Sequence, residues 1–328
     1  MRDSLYFIYP LDEARIRAIE RYSAQFEDRV VACAAEAFNA MVPARLSAAN
    51  GVARFAVNRR NNREAEILDT HDLKGPVDHA VPVLKVARED GSLLALLFGY
   101  ACHATTLDIC RWSGDYPGFA QAELEAAHPG LTALFFAGCG ADQNPLPRRT
   151  IALARQYGRE LAASVERAVE DPMTPLDAKM DLKQTEVELA LTPAPSRETL
   201  TALSQCDTPW QVRAAKAFLA DLDAGKALPS AYRYPVYVWR LGGQLLVALG
   251  GEVVVDYAVA IKQALGRDTF VMGYSNDLMS YIPSVRVLRE GGYEGATAQM
   301  EYGLPSAWTE DIEARIMNTV QELAGNTK

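Results

Sequence analysis

The sequence is poor in the residues from which cross-links and reactive sites are usually built. It contains five cysteines and four histidines in 328 residues. The cysteines are odd in number, widely spaced and without a Cys-x-x-Cys pair, which argues against both a disulfide framework and a thiolate zinc site. This usage is typical of free thiols in a reducing compartment. The few histidines leave few candidates for acid–base or metal chemistry.

The chain also lacks a basic excess and long apolar runs. Its formal net charge of −9 argues against a nucleic-acid partner, which would require basic residues clustered on one face. The longest apolar runs, Leu93–Tyr100 and Leu245–Gly250, are of strand length and far below the ~20 residues of a membrane helix. The N-terminus does not resemble a leader peptide. We therefore expect a cytoplasmic protein with no transmembrane segment.

Apolar periodicity predicts a mixture of helices and strands. Apolar residues at three- and four-residue steps predict a long amphipathic helix over Asp12–Met41, broken near Asp28, with its apolar face packed on something larger. An Asp-Gly turn between Val81–Ala87 and Ser92–Ala101 predicts a hairpin. Further strands are predicted at Leu131–Ala137, Lys179–Ala190, Tyr234–Arg240, Gln244–Leu249 and Phe270–Tyr274, and further helices at Phe119–His128, Ile151–Val169, Val255–Leu265 and from about Thr309. The predicted fold class is α/β, a mixed β-sheet core flanked by helices, in a single domain over residues 1–328.

Polar residues follow four apolar strands, where each strand opens into a loop. These residues are His103, Asp142, Glu252 and the group Asn276, Asp277 and Tyr281. Many α/β enzymes assemble a site from such strand ends. Nitrogen and carboxylate ligands suit a catalytic zinc, which keeps three protein ligands and an open position for water. A structural role for His103, and for Glu252 a simple preference for a helix start, remain the alternatives.

Other chemistries fit the sequence less well. There is no Gly-x-Ser-x-Gly elbow, Walker loop, His-Glu-x-x-His or Gly-x-Gly-x-x-Gly motif. Cys102 adjoins His103, but neighbouring side chains of a strand point to opposite faces, which argues against a thiol nucleophile. Arg59 and Arg60 lie among asparagines, in either a solvated turn or a contact with a polar group of a substrate.

Taken in order, several of these segments resemble those of a known family. The resemblance, to the catalytic domain of neutral/alkaline ceramidases and their bacterial relatives, runs from about residue 30 to residue 310. It is carried by Val57–Arg60, Tyr100–Thr106 with Ser113–Asp115, Gly138–Pro145, Gly250–Glu252, and Asn276–Tyr281 with Gly291–Glu294.

The resemblance implies a zinc-dependent amidase that cleaves the N-acyl bond of ceramide, giving sphingosine and a fatty acid. It implies that His103, Glu252 and Tyr281 are metal ligands. It places Arg59 at the polar end of the substrate and Tyr293 at the scissile carbonyl. The remaining residues of these segments that we assign to substrate binding are Arg60, Asn276, Ser113 and Asp115.

The sequence departs from the family pattern in three ways. Family members carry an upstream His-Thr-His-Ser-Gly-Pro type segment that supplies another zinc ligand, and they are often secreted. This sequence contains no such segment, so the N-terminal part of the family domain is expected to be missing and zinc binding to be weak or absent. The family's Gly-Asp-Val-Ser-Pro-Asn loop is here Gly140–Pro145 without a serine, which leaves Asp142 as a candidate base acting on water. The family's C-terminal immunoglobulin-like domain is also absent.

These observations predict a zinc-assisted hydrolase of amide or ester bonds, acting on a small lipid-like substrate. One alternative is a metal-independent esterase that uses the same pocket. Another is a catalytically inactive ceramidase-like binding or structural protein. A histidine from another chain, or His71 or His79, would complete the zinc site.

Overall fold

The structure is a computed structural model, and it describes residues 9–325. The strands are β1 (Ala44–Val52), β2 (Ala56–Asn58), β3 (Ala80–Arg88), β4 (Leu93–Tyr100), β5 (Thr132–Ala137), β6 (Gln143–Pro145), β7 (Thr174–Leu176), β8 (Met180–Ala190), β9 (Ala231–Leu241), β10 (Gln244–Leu249), β11 (Glu252–Val253), β12 (Phe270–Met272) and β13 (Tyr281–Ile282). The helices are α1 (Glu13–Asn39), α2 (Asp115–Ala127), α3 (Ile151–Glu170), α4 (Arg197–Leu203), α5 (Pro209–Asp223), α6 (Val255–Leu265), α7 (Val285–Glu290), α8 (Ala298–Glu301) and α9 (Ile312–Ala324). The predicted mixed α/β fold is confirmed.

Most elements follow the apolar periodicity closely. The β3–β4 hairpin forms as an antiparallel pair, and α6 spans the predicted residues. Helix α2 begins four residues earlier than predicted, at Asp115, with Pro117 in its first turn. Proline is tolerated there because the first-turn N–H groups have no intrahelical partner. Helix α1 is continuous through Asp28, so the predicted break is wrong.

The larger of two compact units contains the two larger sheets and the two-stranded sheets β2–β6 and β11–β13. It comprises residues 44–187, residues 233–286 and the described chain from Glu310. One of the larger sheets has the strand order β5-β4-β3-β1-β7, and the other has the order β12-β10-β9-β8. Both are mixed: β4 pairs with β3 antiparallel and with β5 parallel, while β10 pairs with β9 antiparallel and with β12 parallel.

The five-stranded sheet is covered on both faces. A core that includes Phe98 and Tyr100 of β4 joins Tyr116 of α2 and Leu161 of α3. On the opposite face, buried residues of the two sheets pack together; these are Ala48, Leu84, Leu246 and Phe270. Because apolar burial is the main source of folding free energy, this three-layer packing fixes the ends of β4 and β5, where the site lies.

The smaller unit comprises the described residues up to Pro43, with Glu188–Tyr232 and Val287–Thr309. Its core is built from α4 and α5, around Leu200, Ala215 and Phe218. Helix α1 belongs to this unit, yet none of its residues is buried, so the expectation that its apolar face packs on a larger body is wrong. The prediction that the whole chain is one domain stays a prediction.

Within residues 9–325, no helix combines the length and the apolar character needed to span a bilayer.

Candidate functional site

His103 lies just beyond the end of β4, against the loop that follows β5. Its backbone N–H donates to the carbonyl of Gln143 at 3.0 Å, and its ring Nε2 lies 2.9 Å from the carbonyl oxygen of Ala141. Gly140 permits this approach, because a Cβ atom there would lie 2.5 Å from the backbone nitrogen of Cys102. The two predicted loops therefore meet, and backbone contacts fix the histidine ring.

Glu252 is placed by a tight turn after β10. Gly251 has a φ of +72°, and a Cβ atom at this position would lie 2.7 Å from the carbonyl oxygen of Ser280. Only glycine fits such a conformation and such a close approach without strain. The turn allows β11 to pair with β13 in parallel, with Glu252 in register with Tyr281. Two of the predicted site residues thus become strand neighbours.

Tyr274 connects Glu252 to His103, and the sequence analysis missed it. Its hydroxyl donates to Glu252 Oε2 at 3.1 Å and lies 3.4 Å from His103 Nδ1. Tyr274 was assigned to the last apolar strand, but β12 ends at Met272. The signal that could have found it is the one that identified His103, a polar side chain just past a buried strand.

The contacts of His103 define its protonation. Burial, and then the positive charge of Arg59, lower the pKa of His103, although Glu252 acts in the opposite direction with its Oε2 3.8 Å from Nε2. The ring is therefore neutral near pH 7. Because Nε2 faces a carbonyl oxygen, it carries the proton, and Nδ1 keeps its lone pair. The Tyr274 hydroxyl has one hydrogen, which it donates in a hydrogen bond to the closer acceptor, Glu252. It therefore forms no strong hydrogen bond to the Nδ1 lone pair.

Arg59 brings a positive charge to the same cluster. Its guanidinium donates to the Tyr281 hydroxyl at 3.3 Å and lies 5.9 Å from the centroid of that ring. Its backbone N–H donates to the carbonyl of Asp142 at 2.8 Å. Arg59, His103, Glu252, Tyr274 and Tyr281 therefore form one contiguous cluster, which we call the central cluster.

Asp142 is fully buried and bonded through both carboxylate oxygens. Oδ1 accepts the N–H of Val255 at 2.9 Å, at the start of α6, and Oδ2 accepts from the side chain of Asn58 at 2.9 Å. Arg286 lies 3.9 Å from Oδ2, and burial raises the pKa of Asp142. These contacts favour a positioning role. The prediction that Asp142 acts as a base on water stays a prediction.

Ser113 and Asp115 hold the loop that leads into α2. Asp115 is buried, and its carboxylate accepts the backbone N–H groups of Leu107 and Tyr116 at 2.8 and 2.7 Å. The Ser113 hydroxyl accepts the backbone N–H of Asp115 at 3.0 Å. Both side chains thus have local partners, and their predicted contact with a substrate stays a prediction.

The other predicted residues are placed as follows. Asn276 is exposed at a φ of +64°, and the half-buried Arg60 donates its backbone N–H to Asn58. Tyr293 lies in the smaller unit, where its hydroxyl donates to Glu301 at 2.9 Å. Their assigned roles in binding and catalysis stay predictions.

The zinc prediction can be compared with the donors present. His103 resembles a metal ligand in having one ring N–H held by a carbonyl, with the Tyr274 hydroxyl 3.4 Å from the other nitrogen, and Glu252 adds a carboxylate. A catalytic zinc generally takes three ligands from histidine, cysteine, aspartate and glutamate. Among the described residues, no three side chains of these types form a group that could hold a metal. The donor set therefore falls short of a zinc site of the usual kind.

The remaining histidines and Cys102 do not change this comparison. His79 Nε2 lies 3.1 Å from the carbonyl oxygen of Ala56, and His71 is exposed. His128 lies 2.9 Å from Glu166. Cys102 is buried, and burial raises the pKa of its thiol well above the usual value, which keeps it protonated and a poor nucleophile.

Two solved structures share this fold. A ceramidase structure described as complexed with C2 matches with a TM-score of 0.62 and 17% identity. The neutral ceramidase from Pseudomonas aeruginosa matches with a TM-score of 0.60 and 18% identity. Each match covers 86% of this chain and 53% of the other, so the chain spans about half the length of these proteins. No protein-family profile and no curated protein sequence matches the chain. The comparison supports a ceramidase-like fold.

Proposed function

We propose that the chain is a hydrolase of amide or ester bonds, and that the central cluster is its active site. The observation that carries the proposal is the meeting of a neutral histidine, a carboxylate, an arginine and two tyrosines from separate segments of the chain. Perturbed titratable groups gathered at strand ends are typical of active sites. The fold, shared with two ceramidases, is consistent with this chemistry.

In the proposed reaction, His103 acts as the base. Its Nδ1 lone pair takes a proton from water as the water oxygen attacks the carbonyl carbon of the substrate. The resulting oxyanion accepts a hydrogen bond from the Arg59 guanidinium. Collapse of the tetrahedral intermediate breaks the bond to the leaving amine or alcohol, which takes the proton back from Nδ1. The products are a carboxylic acid and an amine or alcohol.

Glu252 and Tyr274 orient the base. Tyr274 donates to Glu252, and Glu252 lies within 3.8 Å of the protonated side of the His103 ring. This negative charge stabilises the imidazolium that forms when His103 accepts a proton, the role that a carboxylate has beside histidine in many hydrolases.

The substrate class is a lipid-like N-acyl amide or ester. This assignment comes from the ceramidase neighbours and from the earlier sequence resemblance. Tyr281 and Arg59 would contact the polar end of such a molecule, with Arg60 and Asn276 as further polar contacts.

Zinc binding remains a separate prediction, because the donor set is incomplete. His103, Glu252 and Tyr281 are the side chains that would hold the ion, and a bound zinc would lower the pKa of a coordinated water. No step of the proposed reaction depends on it. Metal analysis of the purified chain tests this prediction, together with hydrolysis before and after chelation: chelator-insensitive hydrolysis supports the metal-independent alternative.

The function itself is tested by hydrolysis of an N-acyl amide and an aryl ester by the purified chain. His103→Ala should lower kcat/KM by about 100-fold or more, the range for loss of a general base. The matched control is His128→Ala, because His128 pairs with Glu166 away from the central cluster and should leave the rate unchanged. Absence of hydrolysis with both substrates, with and without added zinc, would support an inactive binding protein, and an unaffected His103→Ala variant would remove His103 from the site.

A further inference from the structure

Four large apolar side chains are exposed on two segments of the chain, one that follows His103 and one that follows Arg59. Trp112 is 95% exposed and Ile109 is 46% exposed, on the loop of residues 107–114 that begins four residues after His103. Leu68 is 80% exposed and Leu73 is 50% exposed, on the segment of residues 63–74 that begins four residues after Arg59. We call these four side chains the apolar rim.

Ion pairs and hydrogen bonds hold the two segments together. The Arg149 guanidinium contacts Asp108 at 3.3 Å and Glu64 at 3.2 Å, and so joins the start of one segment to the start of the other. Arg148 contacts Glu64 at 2.6 Å and the hydroxyl of Thr105, two residues before the loop of residues 107–114, at 3.0 Å. The apolar rim is therefore carried by two segments that are joined to each other and that follow Arg59 and His103 of the central cluster in sequence.

The loop of residues 107–114 is closed at its base. The Asp115 carboxylate accepts the N–H of Leu107 at 2.8 Å, which fixes the two ends of the loop close together. The exposed Trp112 is thus presented by a short loop whose ends are fixed in the protein. This arrangement lowers the entropic cost of ordering the loop against a second surface.

Charge and area distinguish between possible binding partners. Residues 63–74 and 107–113, with Arg148 and Arg149, contain five acidic and five basic side chains, so this surface is locally neutral on a chain of net charge −9. A neutral surface gives no attraction to anionic lipid, and the net negative charge opposes it. Four side chains would bury on the order of 600 Å², below the roughly 800 Å² that each partner buries in a stable protein interface.

We propose that the apolar rim docks on the surface of a zwitterionic lipid bilayer, with Trp112 and Ile109 among the headgroups. Tryptophan is favoured at this depth because its ring is apolar and its indole N–H is polar. Docking would bring the central cluster to the place where a lipid-like substrate is found. The proposal goes beyond the proposed function and does not require hydrolysis.

Co-sedimentation of the full chain with phosphatidylcholine vesicles, in the absence of substrate, tests the proposal. Saturable binding is expected, and the double variant Ile109→Ser with Trp112→Ala should bind about tenfold more weakly, because it loses the two apolar groups that enter the headgroup layer. The control is Leu182→Ala, which removes a 58% exposed side chain of β8 and should bind as the parent chain does. Adding phosphatidylserine should not strengthen binding.

Four results would overturn the proposal: no binding of the parent chain, equal binding by the double variant, binding that requires anionic lipid, or self-association in solution that the double variant abolishes. Circular dichroism of the double variant verifies its fold. Because binding is measured without turnover, a failure here is distinct from a failure of the proposed hydrolase activity.

Discussion

Tyr274 has a backbone conformation that residues with side chains rarely adopt. Its φ is +56°, in the left-handed region, and its N–H donates to the carbonyl of Gly251 at 2.9 Å. Such conformations cost on the order of 1 kcal/mol or more and persist where surrounding contacts enforce them. Here the strained turn directs the hydroxyl at Glu252 and His103, and burial raises the pKa of Tyr274 so that it stays a donor. We infer that Tyr274 positions His103 and Glu252 for the proposed reaction.

Removal of this hydroxyl should therefore affect the rate more than binding. Tyr274→Phe is expected to lower kcat about tenfold and to leave KM nearly unchanged, because the lost hydrogen bond is to a charged group and orients Glu252. Steady-state kinetics on a soluble aryl ester measures both constants. Tyr257→Phe is the matched control, since its buried hydroxyl donates to the carbonyl of Pro283 at 3.1 Å. Equal kcat values for the two variants would contradict the positioning role.

At the scale of elements, Asp142 joins three parts of the larger unit. It accepts hydrogen bonds from Val255 at the start of α6 and from Asn58 at the end of β2, and it lies on the loop that supports His103. A carboxylate is favoured at a helix start, where N–H groups are unpaired and the helix dipole is positive. Burial opposes the charge, which is why the pKa of Asp142 is raised. These bonds connect α6 to the site loops.

Asp142→Ala should lower the free energy of unfolding by about 2 kcal/mol or more, because it leaves two buried N–H donors without an acceptor. Asp221→Ala, at an exposed ion pair with Lys226, should change it by less than about 0.5 kcal/mol. Urea titration measures both values.

Asp142→Asn separates positioning from catalysis. The amide keeps one oxygen acceptor, so a positioning residue should retain kcat within about threefold, whereas loss of a base would cost about 100-fold or more. The larger loss, in a variant that folds normally, would restore Asp142 as the base.

The elements that the sequence predicts well are those with enough residues to show a period. The strand β4 and the helix α6 were found because their apolar residues follow the spacing of a buried strand and of a helix. The two- and three-residue strands β11, β13 and β6 were not found, because pairing between distant segments creates them. Tyr274 was missed for a different reason: it was assigned to the strand, whereas β12 ends at Met272 and Tyr274 lies just beyond it.

For the whole molecule, the site could be predicted as a list of residues but not as a geometry. His103, Glu252, Tyr281 and Arg59 were found from strand ends and a family resemblance, and the structure brings them together. The sequence could not show that both oxygens of Asp142 are bonded, or that Tyr293 contacts Glu301. The Asp142 contacts depend on the packing of segments 84 and 113 residues away, and the Tyr293 contact depends on the local fold around Glu301.

Helix α1 shows that apolar periodicity predicts a helix without predicting what surrounds it in the whole molecule. Its apolar spacing predicts a buried face, yet Phe26 is 54% exposed, and it stacks on Tyr22 of the same helix at a centroid distance of 6.1 Å. Phe26→Ala should therefore change the free energy of unfolding by less than about 1 kcal/mol, since alanine keeps the helix and little apolar burial is lost. Phe218→Ala, in the core of α4 and α5, should cost about 3–5 kcal/mol. If Phe26→Ala cost as much as Phe218→Ala in urea titrations, the apolar face of α1 would be packed in solution, and the periodicity would have predicted its environment correctly.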